Sequence, residues 1–106
     1  MTKAERIAEN ESFCRDLNKS KDGWLSSGVP VAGFRCECWR IECLERLRLS
    51  KPEWQEVRSR PERFAVAPGH VAAHVEPGTE EVVKQYDHFW IVEKRGEAGE
   101  IAAERA

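Results

Sequence analysis

The sequence lacks the features that identify most membrane and nucleotide-binding proteins. No apolar run approaches the roughly 20 residues that a membrane-spanning helix needs, and the N-terminal stretch MTKAERIAENES lacks the apolar segment of a signal peptide. A phosphate-binding glycine loop, a dinucleotide fingerprint and a nucleophile–base–orienter set are also missing. We therefore expect a cytoplasmic protein without membrane association, in a compartment where disulfides are rare.

An excess of charge of one sign is missing as well. The 106 residues include 17 basic and 19 acidic side chains, for a net charge of −2. Segment 34–63 is mildly basic, with eight basic and six acidic residues, whereas the segment from 64 onward has four basic and eight acidic residues. This density of basic residues does not by itself indicate a nucleic-acid-binding protein.

Local signals predict an α+β protein that forms a single domain over residues 1–106. We expect an N-terminal helix over 1–18, a flexible connection over 19–33, an α+β core with a metal site over 34–94, and a loosely ordered tail over 95–106. The predicted architecture is an N-terminal helix packed on a small, mainly antiparallel sheet, with one or two short helices and a zinc-knuckle-like hairpin.

Caps, alternation and β-branched runs predict the individual elements. Strands over Phe34–Cys38 and Glu45–Leu49 should form the hairpin. Ser50 and Glu53 fit a capping box that opens a short helix ending before Pro61. The remaining predicted elements are a strand over Phe64–Ala67, a helix over Thr79–Tyr86 and a strand over His88–Glu93.

The N-terminal helix is predicted to be amphipathic. Thr2 and Glu5 fit a second capping box at its start. Apolar residues then recur near helical spacing, which predicts that this side of the helix is buried. They are Ala4, Ile7, Cys14 and Leu17, with Phe13 beside them.

Three of the four cysteines lie in the stretch FRCECWRIEC at 34–43. In an extended strand Cys36 and Cys38 point to one face, at a Cα separation of roughly 7 Å that strains a disulfide. Two thiolates that share a tetrahedral Zn²⁺ leave more room between the sulfurs, and Cys43 reaches the same point if 39–42 forms a turn. One zinc ion is the predicted cofactor. Packed thiols without metal, or thiol redox chemistry without a C-x-x-C spacing, are the alternatives.

A structural zinc site usually has four protein ligands, so three cysteines require one more. The candidates in the chain are His70, His74, His88 and Cys14, and a bound water is the remaining possibility. A Pro-Gly pair stands directly before His70 and predicts a rigid turn at the end of a strand. This turn favours His70 as the fourth ligand.

Several short motifs, each present once, follow one another along the chain. They consist of Asn10, Glu11, Arg15 and Asn18; Cys36, Glu37, Cys38 and Cys43; Glu53, Trp54, Val57 and Arg58; Phe64, Val66, Pro68, Gly69 and His70; and Val92, Glu93 and Lys94. In this combination the chain resembles a family of short, uncharacterised bacterial proteins, largely actinobacterial, with a C-E-C-x4-C…P-G-H pattern. The resemblance covers almost the whole chain. It implies that Cys36, Cys38, Cys43 and His70 form one zinc site, and it implies no established activity.

The favoured function is a small zinc-stabilised binding module that contacts a protein or a nucleic acid, with a regulatory role compatible with the sequence. Four arginines near the cysteines suit phosphate contacts, with Trp39 as a stacking surface. A solvated hairpin face accounts for the same arginines without a ligand. They are Arg35, Arg40, Arg46 and Arg48.

The alternative function is a metal- or thiol-dependent enzyme that uses the cluster of Cys36, Cys38 and Cys43. A catalytic zinc keeps three protein ligands and a water, with a carboxylate nearby as general base. Glu37 and Glu42 are the candidate bases because they lie beside the cysteines in the sequence.

Overall fold

The computed structural model describes residues 3–21, 23, 28–38, 40, 42–71, 78 and 80–105, without the side chains of 3–5, 7 and 8. Within these residues the chain forms three helices and five strands. In chain order they are α1 (Lys3–Lys19), β1 (Val31–Arg35), β2 (Arg46–Ser50), α2 (Lys51–Arg58), β3 (Arg63–Val66), β4 (Glu80–Gln85), β5 (Trp90–Lys94) and α3 (Gly96–Glu104). The predicted α+β class, with an N-terminal helix and small antiparallel sheets, is confirmed. None of the described helices is long and apolar enough to cross a membrane.

The predicted hairpin is formed by β1 and β2, which pair in antiparallel register, with Phe34 opposite Leu47 and Arg35 opposite Arg46. Because side chains alternate along a strand, one face of the hairpin is buried and the other points outward. The buried face carries Ala32, Phe34, Leu47 and Leu49.

Helix α2 connects the hairpin to the second sheet and begins at the predicted capping box. Ser50 Oγ accepts a hydrogen bond from the Glu53 amide at 3.4 Å, and Glu53 Oε1 accepts one from the Ser50 amide at 2.8 Å. The buried Trp54 ring stacks on Phe34 with ring centroids 4.5 Å apart. The second sheet has the strand order β3-β5-β4 and is antiparallel throughout.

The prediction of a helix over Thr79–Tyr86 is wrong, because strand β4 occupies this segment. Val82 pairs with Val92 and Lys84 with Ile91, so Val83 is an extra residue in a β-bulge. The bulge leaves the neighbouring Val82 and Val83 both half-buried. Two adjacent apolar residues facing the core imitate a helical pattern, which explains the error.

Two predicted boundaries also need correction. The connection predicted over 19–33 is shorter, because α1 includes Lys19 and β1 begins at Val31. The strand predicted over Phe34–Cys38 ends earlier, at Arg35. The predicted capping box at the start of α1 involves Thr2, which lies outside the described residues.

The tail predicted to be loosely ordered forms helix α3 instead, and Gly99 and Ala102 in this helix are buried. A Cβ atom on Gly99 would lie 2.8 Å from the carbonyl oxygen of Lys94. The helix therefore packs closely against the end of β5, which the composition of the tail does not reveal.

Helix α1 is held in place largely by polar side chains. Phe13 is 60% exposed and Leu17 is 38% exposed, contrary to the predicted apolar contact, although Cys14 is buried as expected. The buried Arg15 donates to the carbonyl oxygens of Pro61 at 2.7 Å and Ala102 at 2.9 Å. These bonds join α1 to the turn before β3 and to α3.

Candidate metal centre

Four side chains from three segments of the chain meet at one end of the hairpin. Cys36 and Cys38 follow β1, Cys43 precedes β2, and His70 follows β3. One ligand atom from each lies within 4.8 Å of all the others. The structure therefore brings together the four residues that the sequence singled out.

The distances within this cluster suit a tetrahedral zinc ion. Nδ1 of His70 lies 3.6 Å from Sγ of Cys36 and 3.6 Å from Sγ of Cys43. With Zn–S near 2.3 Å and Zn–N near 2.0–2.1 Å, a regular tetrahedron has an S···N edge of about 3.5–3.6 Å and an S···S edge of about 3.8 Å. The two observed S···N separations match that edge.

Main-chain amides stabilise the sulfurs as thiolates. The Ala67 amide donates to Sγ of Cys36 at 3.1 Å. Backbone hydrogen bonds from Arg40 and Glu45 reach Cys38 and Cys43, respectively. Because each sulfur has a backbone donor, part of the cost of burying negative charge is offset before any metal arrives.

Without a metal ion, the three thiols differ in pKa. A hydrogen bond from Cys36 lowers the pKa of Cys38 to about 5, against the opposing effect of burial. The same interaction and burial raise the pKa of Cys36, and burial raises that of Cys43. A metal ion that binds all three sulfurs as thiolates releases the protons that the thiols hold.

Hydrogen bonds fix the loop that carries the cysteines. Nδ2 of Asn10 on α1 donates to the carbonyl oxygen of Cys38 at 3.0 Å and to that of Arg40 at 3.3 Å. The Cys43 amide donates to the same Arg40 oxygen at 3.2 Å, which closes a turn. Sequence reasoning did not place Asn10 at the site, although this asparagine belongs to one of the short motifs.

A tight turn positions His70. The His70 amide donates to the carbonyl oxygen of Ala67 at 3.0 Å across Pro68 and Gly69. Gly69 has a φ angle of 85°, a value that residues other than glycine rarely adopt. A type II turn favours proline at its second position and needs a residue with positive φ, usually glycine, at its third. The Pro-Gly pair therefore forms the turn that the sequence predicted.

Glu37 lies between two cysteines in the sequence, yet its carboxylate interacts with other groups. It is fully buried and accepts hydrogen bonds from Asn18 Nδ2 at 2.9 Å, the Ala65 amide at 2.8 Å and Arg58 at 3.2 Å. Burial raises the pKa of Glu37, while Arg58 opposes the rise. The Glu37 amide also donates to the carbonyl oxygen of Ala65 at 2.8 Å, so this residue connects the hairpin to β3.

The other predicted candidates lie elsewhere or outside the described part of the chain. Glu42 is exposed and forms an ion pair with Arg40 at 3.7 Å. Cys14 is buried outside the four-residue group. His88 bonds to Glu53 at 2.9 Å. His74 and Trp39 lie outside the described residues.

The four arginines that the sequence associated with nucleic acid are not equivalent. Arg46 and Arg48 are exposed on the outward face of the hairpin, and Arg35 is half-buried beside them. Arg40 instead lies in the cysteine loop with its side chain paired to Glu42. The structure thus places three of them together and one apart.

No protein-family model, curated protein or solved structure matches the chain.

Proposed function

We propose that this protein is a small zinc-stabilised binding module, in which Cys36, Cys38, Cys43 and His70 hold one structural Zn²⁺. The proposal is supported chiefly by one observation: the four ligand atoms lie within 4.8 Å of one another. The 3.6 Å contacts of His70 with two of the sulfurs add to this support. Sulfur and imidazole nitrogen in this number are the donors that zinc takes in structural sites.

A structural role is supported over a catalytic one by the saturation of the site. Three sulfurs and one nitrogen complete a tetrahedron and leave no open position for water or substrate. Glu37, one candidate general base, is held by Asn18 and Arg58. Glu42, the other candidate, is paired with Arg40. A metal at this point ties the connection between β1 and β2 to the turn after β3, where the two sheets meet.

Further details of the proposal depend on the chemistry of the thiols. All four cysteines are free, which suits a reducing compartment, and we place the module in the cytoplasm on that ground. Its partner is a macromolecule, protein or nucleic acid, that recognises the surface around the hairpin. The resemblance to short actinobacterial proteins belongs to this proposal as well.

Metal analysis of the full chain, purified without added zinc, tests the proposal. We expect about one zinc ion per chain, as a single tetrahedral site requires. Cys38→Ser should remove the zinc, and His70→Ala should weaken its binding. Cys14→Ala is the matched control, because it removes a buried thiol outside the cluster and should leave the zinc content unchanged.

Cobalt substitution supplies a readout that is independent of stability. A Co²⁺-loaded protein should show the intense visible bands and the thiolate charge-transfer bands of a tetrahedral sulfur-rich site. A native protein with three reduced thiols and no metal would refute the proposal. A six-coordinate or water-exchanging cobalt spectrum would favour the metalloenzyme instead.

A further inference from the structure

The outward face of the β1–β2 hairpin carries a group of positive charges that the metal site does not use. Alternation places Arg46 and Arg48 on this face of β2, and the strand register places Arg35 next to Arg46. Gly33 lies opposite Arg48, and among the described residues no atom beyond Gly33 and its two chain neighbours lies within 4 Å of the position that a Cβ on Gly33 would take. We call Arg35, Arg46 and Arg48 the arginine face.

These arginines differ from several others in the protein in what they contact. Arg58, Arg63 and Arg95 each pair with a glutamate at 2.6–3.2 Å. In the part of the chain that the structure describes, no ion pair is found for the side chains of the arginine face. Three neighbouring guanidinium groups without carboxylate partners repel one another, and an external anion relieves that repulsion.

The arginine face continues into a groove between the hairpin and the end of α1. Arg35 and Arg46 line this groove together with Lys21, Ser20 and Leu17. The cationic strip therefore crosses from the sheet to the helix. Such a strip suits a chain of phosphates better than a single anion.

Exposed apolar side chains lie beside this groove. Leu17 lines it and is 38% exposed, and Phe13 is 60% exposed four residues earlier on the same side of α1. Single-stranded nucleic acids bind where cations follow the backbone and flat apolar side chains stack on bases. In a duplex the bases already stack on one another, so a surface phenylalanine finds no base face to contact.

We propose that the arginine face binds the phosphate backbone of single-stranded nucleic acid, with Phe13 and Leu17 packing against its bases. This inference rests on the proposed function, because the zinc site joins the end of β1 to the start of β2 and so fixes the spacing of the arginines. The protein has a net charge of −2, so the attraction is local and should be sensitive to salt.

Fluorescence anisotropy with a labelled oligothymidylate and an oligouridylate of about 12 nucleotides tests the proposal on the zinc-loaded full chain. With three phosphate contacts on a single strand, the affinity should fall about 20-fold between about 50 mM and about 200 mM salt. Arg46→Ala with Arg48→Ala should reduce this salt effect to about threefold and weaken binding at low salt at least tenfold. Phe13→Ala should weaken binding about fivefold without changing the salt effect.

A charge-matched control removes two cations from other positions. Arg60→Ala with Lys84→Ala changes the net charge equally, and both residues are exposed and lie outside the hairpin. This control should bind within about twofold of the native protein. Circular dichroism and zinc content of every variant confirm that the fold is intact. Arg46→Gln, which keeps a long polar side chain, replaces any double variant that does not fold, with an expected weakening of about threefold or more.

Several results would overturn the inference. They are no binding of either oligonucleotide at about 100 µM zinc-loaded protein, equal losses in the test and control variants, tighter binding of a duplex of the same length, or displacement of the oligonucleotide by polyglutamate as effectively as by unlabelled strand. Normal zinc content together with any of these results leaves the metal site standing. A native protein that contains no zinc would instead refute the proposed function.

Discussion

The side chain of Lys94 lies between two carboxylates in the interior of the protein. Its Nζ is 2.6 Å from Glu11 on α1 and 2.5 Å from Glu80 on β4, and all three side chains are almost completely buried. One ammonium group neutralises one carboxylate, so the cluster carries an excess negative charge when both glutamates are ionised. Burial raises the pKa of Glu11 to about 7, although Lys94 acts in the opposite direction.

This cluster predicts a specific dependence of stability on pH. The pKa of Glu11 rises from 4.5 in the unfolded chain to about 7 in the fold. The contribution of Glu11 to the unfolding free energy is therefore fully present below pH 4.5 and is lost as the pH rises through about 7. Relative to Glu11→Gln, the native protein should lose on the order of 2 kcal/mol of unfolding free energy between about pH 5 and pH 8.

Urea denaturation at a series of pH values measures this difference. Glu9→Gln is the control, since Glu9 is exposed on the same helix, and its stability curve should run parallel to that of the native protein. Parallel curves for Glu11→Gln and the native protein would show that the prediction is wrong.

Glu37 shows the same use of buried charge beside the candidate metal centre. Its carboxylate accepts from α1 through Asn18, from β3 through Ala65 and from α2 through Arg58. A charged group with three donors can be buried without losing its hydrogen bonds. The sequence associated Glu37 with possible catalysis because of its neighbours, and the structure instead gives it contacts with three elements.

At the scale of elements, α3 and β4 differ most from their predictions. In both cases the structure of the segment depends on packing against strand β5, and in β4 also on an extra residue in the strand. β4 pairs with β5 through a bulge at Val83, and α3 lies against β5 at Gly99. Propensity over a short window does not include such contacts.

The close approach of α3 predicts an unusual sign for a glycine substitution. Gly99→Ala normally stabilises a helix by about 1 kcal/mol, but here the new Cβ lies 2.8 Å from the Lys94 carbonyl oxygen. We expect a loss of about 1–3 kcal/mol, because the helix must move away from β5. Thermal and urea unfolding of the variant measure this loss.

Ala103→Gly at an exposed position of the same helix provides the comparison. It should cost about 0.5–1 kcal/mol from propensity alone. A Gly99→Ala variant that is more stable than the native protein would mean that α3 does not approach β5 this closely.

At the scale of the whole molecule, the hydrophobic core extends well beyond the candidate metal centre. Phe34, Trp54, Phe64, Phe89 and Ile91 are all almost completely buried in it. Burial of such side chains contributes roughly 1.5–3 kcal/mol each. The core therefore supplies folding energy that does not depend on zinc.

Removal of the metal should accordingly weaken the fold without abolishing it. With free zinc about 1,000-fold above its dissociation constant, a chelator should lower the unfolding free energy by about 4 kcal/mol. Far-UV circular dichroism at low temperature should change little, while the melting temperature falls. Identical melting curves with and without chelator would contradict this expectation, and a chelated protein without secondary structure would show that the core depends on zinc.

The sequence by itself determined the features that depend on neighbouring residues. The cap at Ser50, the turn at Pro68 and Gly69, and the alternation of Arg46 through Leu49 are local, because their hydrogen bonds and side-chain directions involve residues only a few positions apart. The spacing of the three cysteines and the turn before His70 favoured the four cluster residues, while Cys14, His74, His88 and water stayed open as alternatives for the fourth ligand. The convergence of the cluster residues to 3.6 Å contacts depends on the packing of β3 beside the cysteine loop.

Only the tertiary structure decided which polar residues are buried and what they bind. Glu11, Arg15, Asn18 and Glu37 carry charged or polar groups, and composition alone assigns such groups to the surface. Their partners include Lys94, the Ala102 carbonyl and the Ala65 amide. These partners are between 17 and 87 positions away in the chain. A buried polar group is stable only where donors and acceptors from several elements converge, and that convergence exists only once the chain has folded.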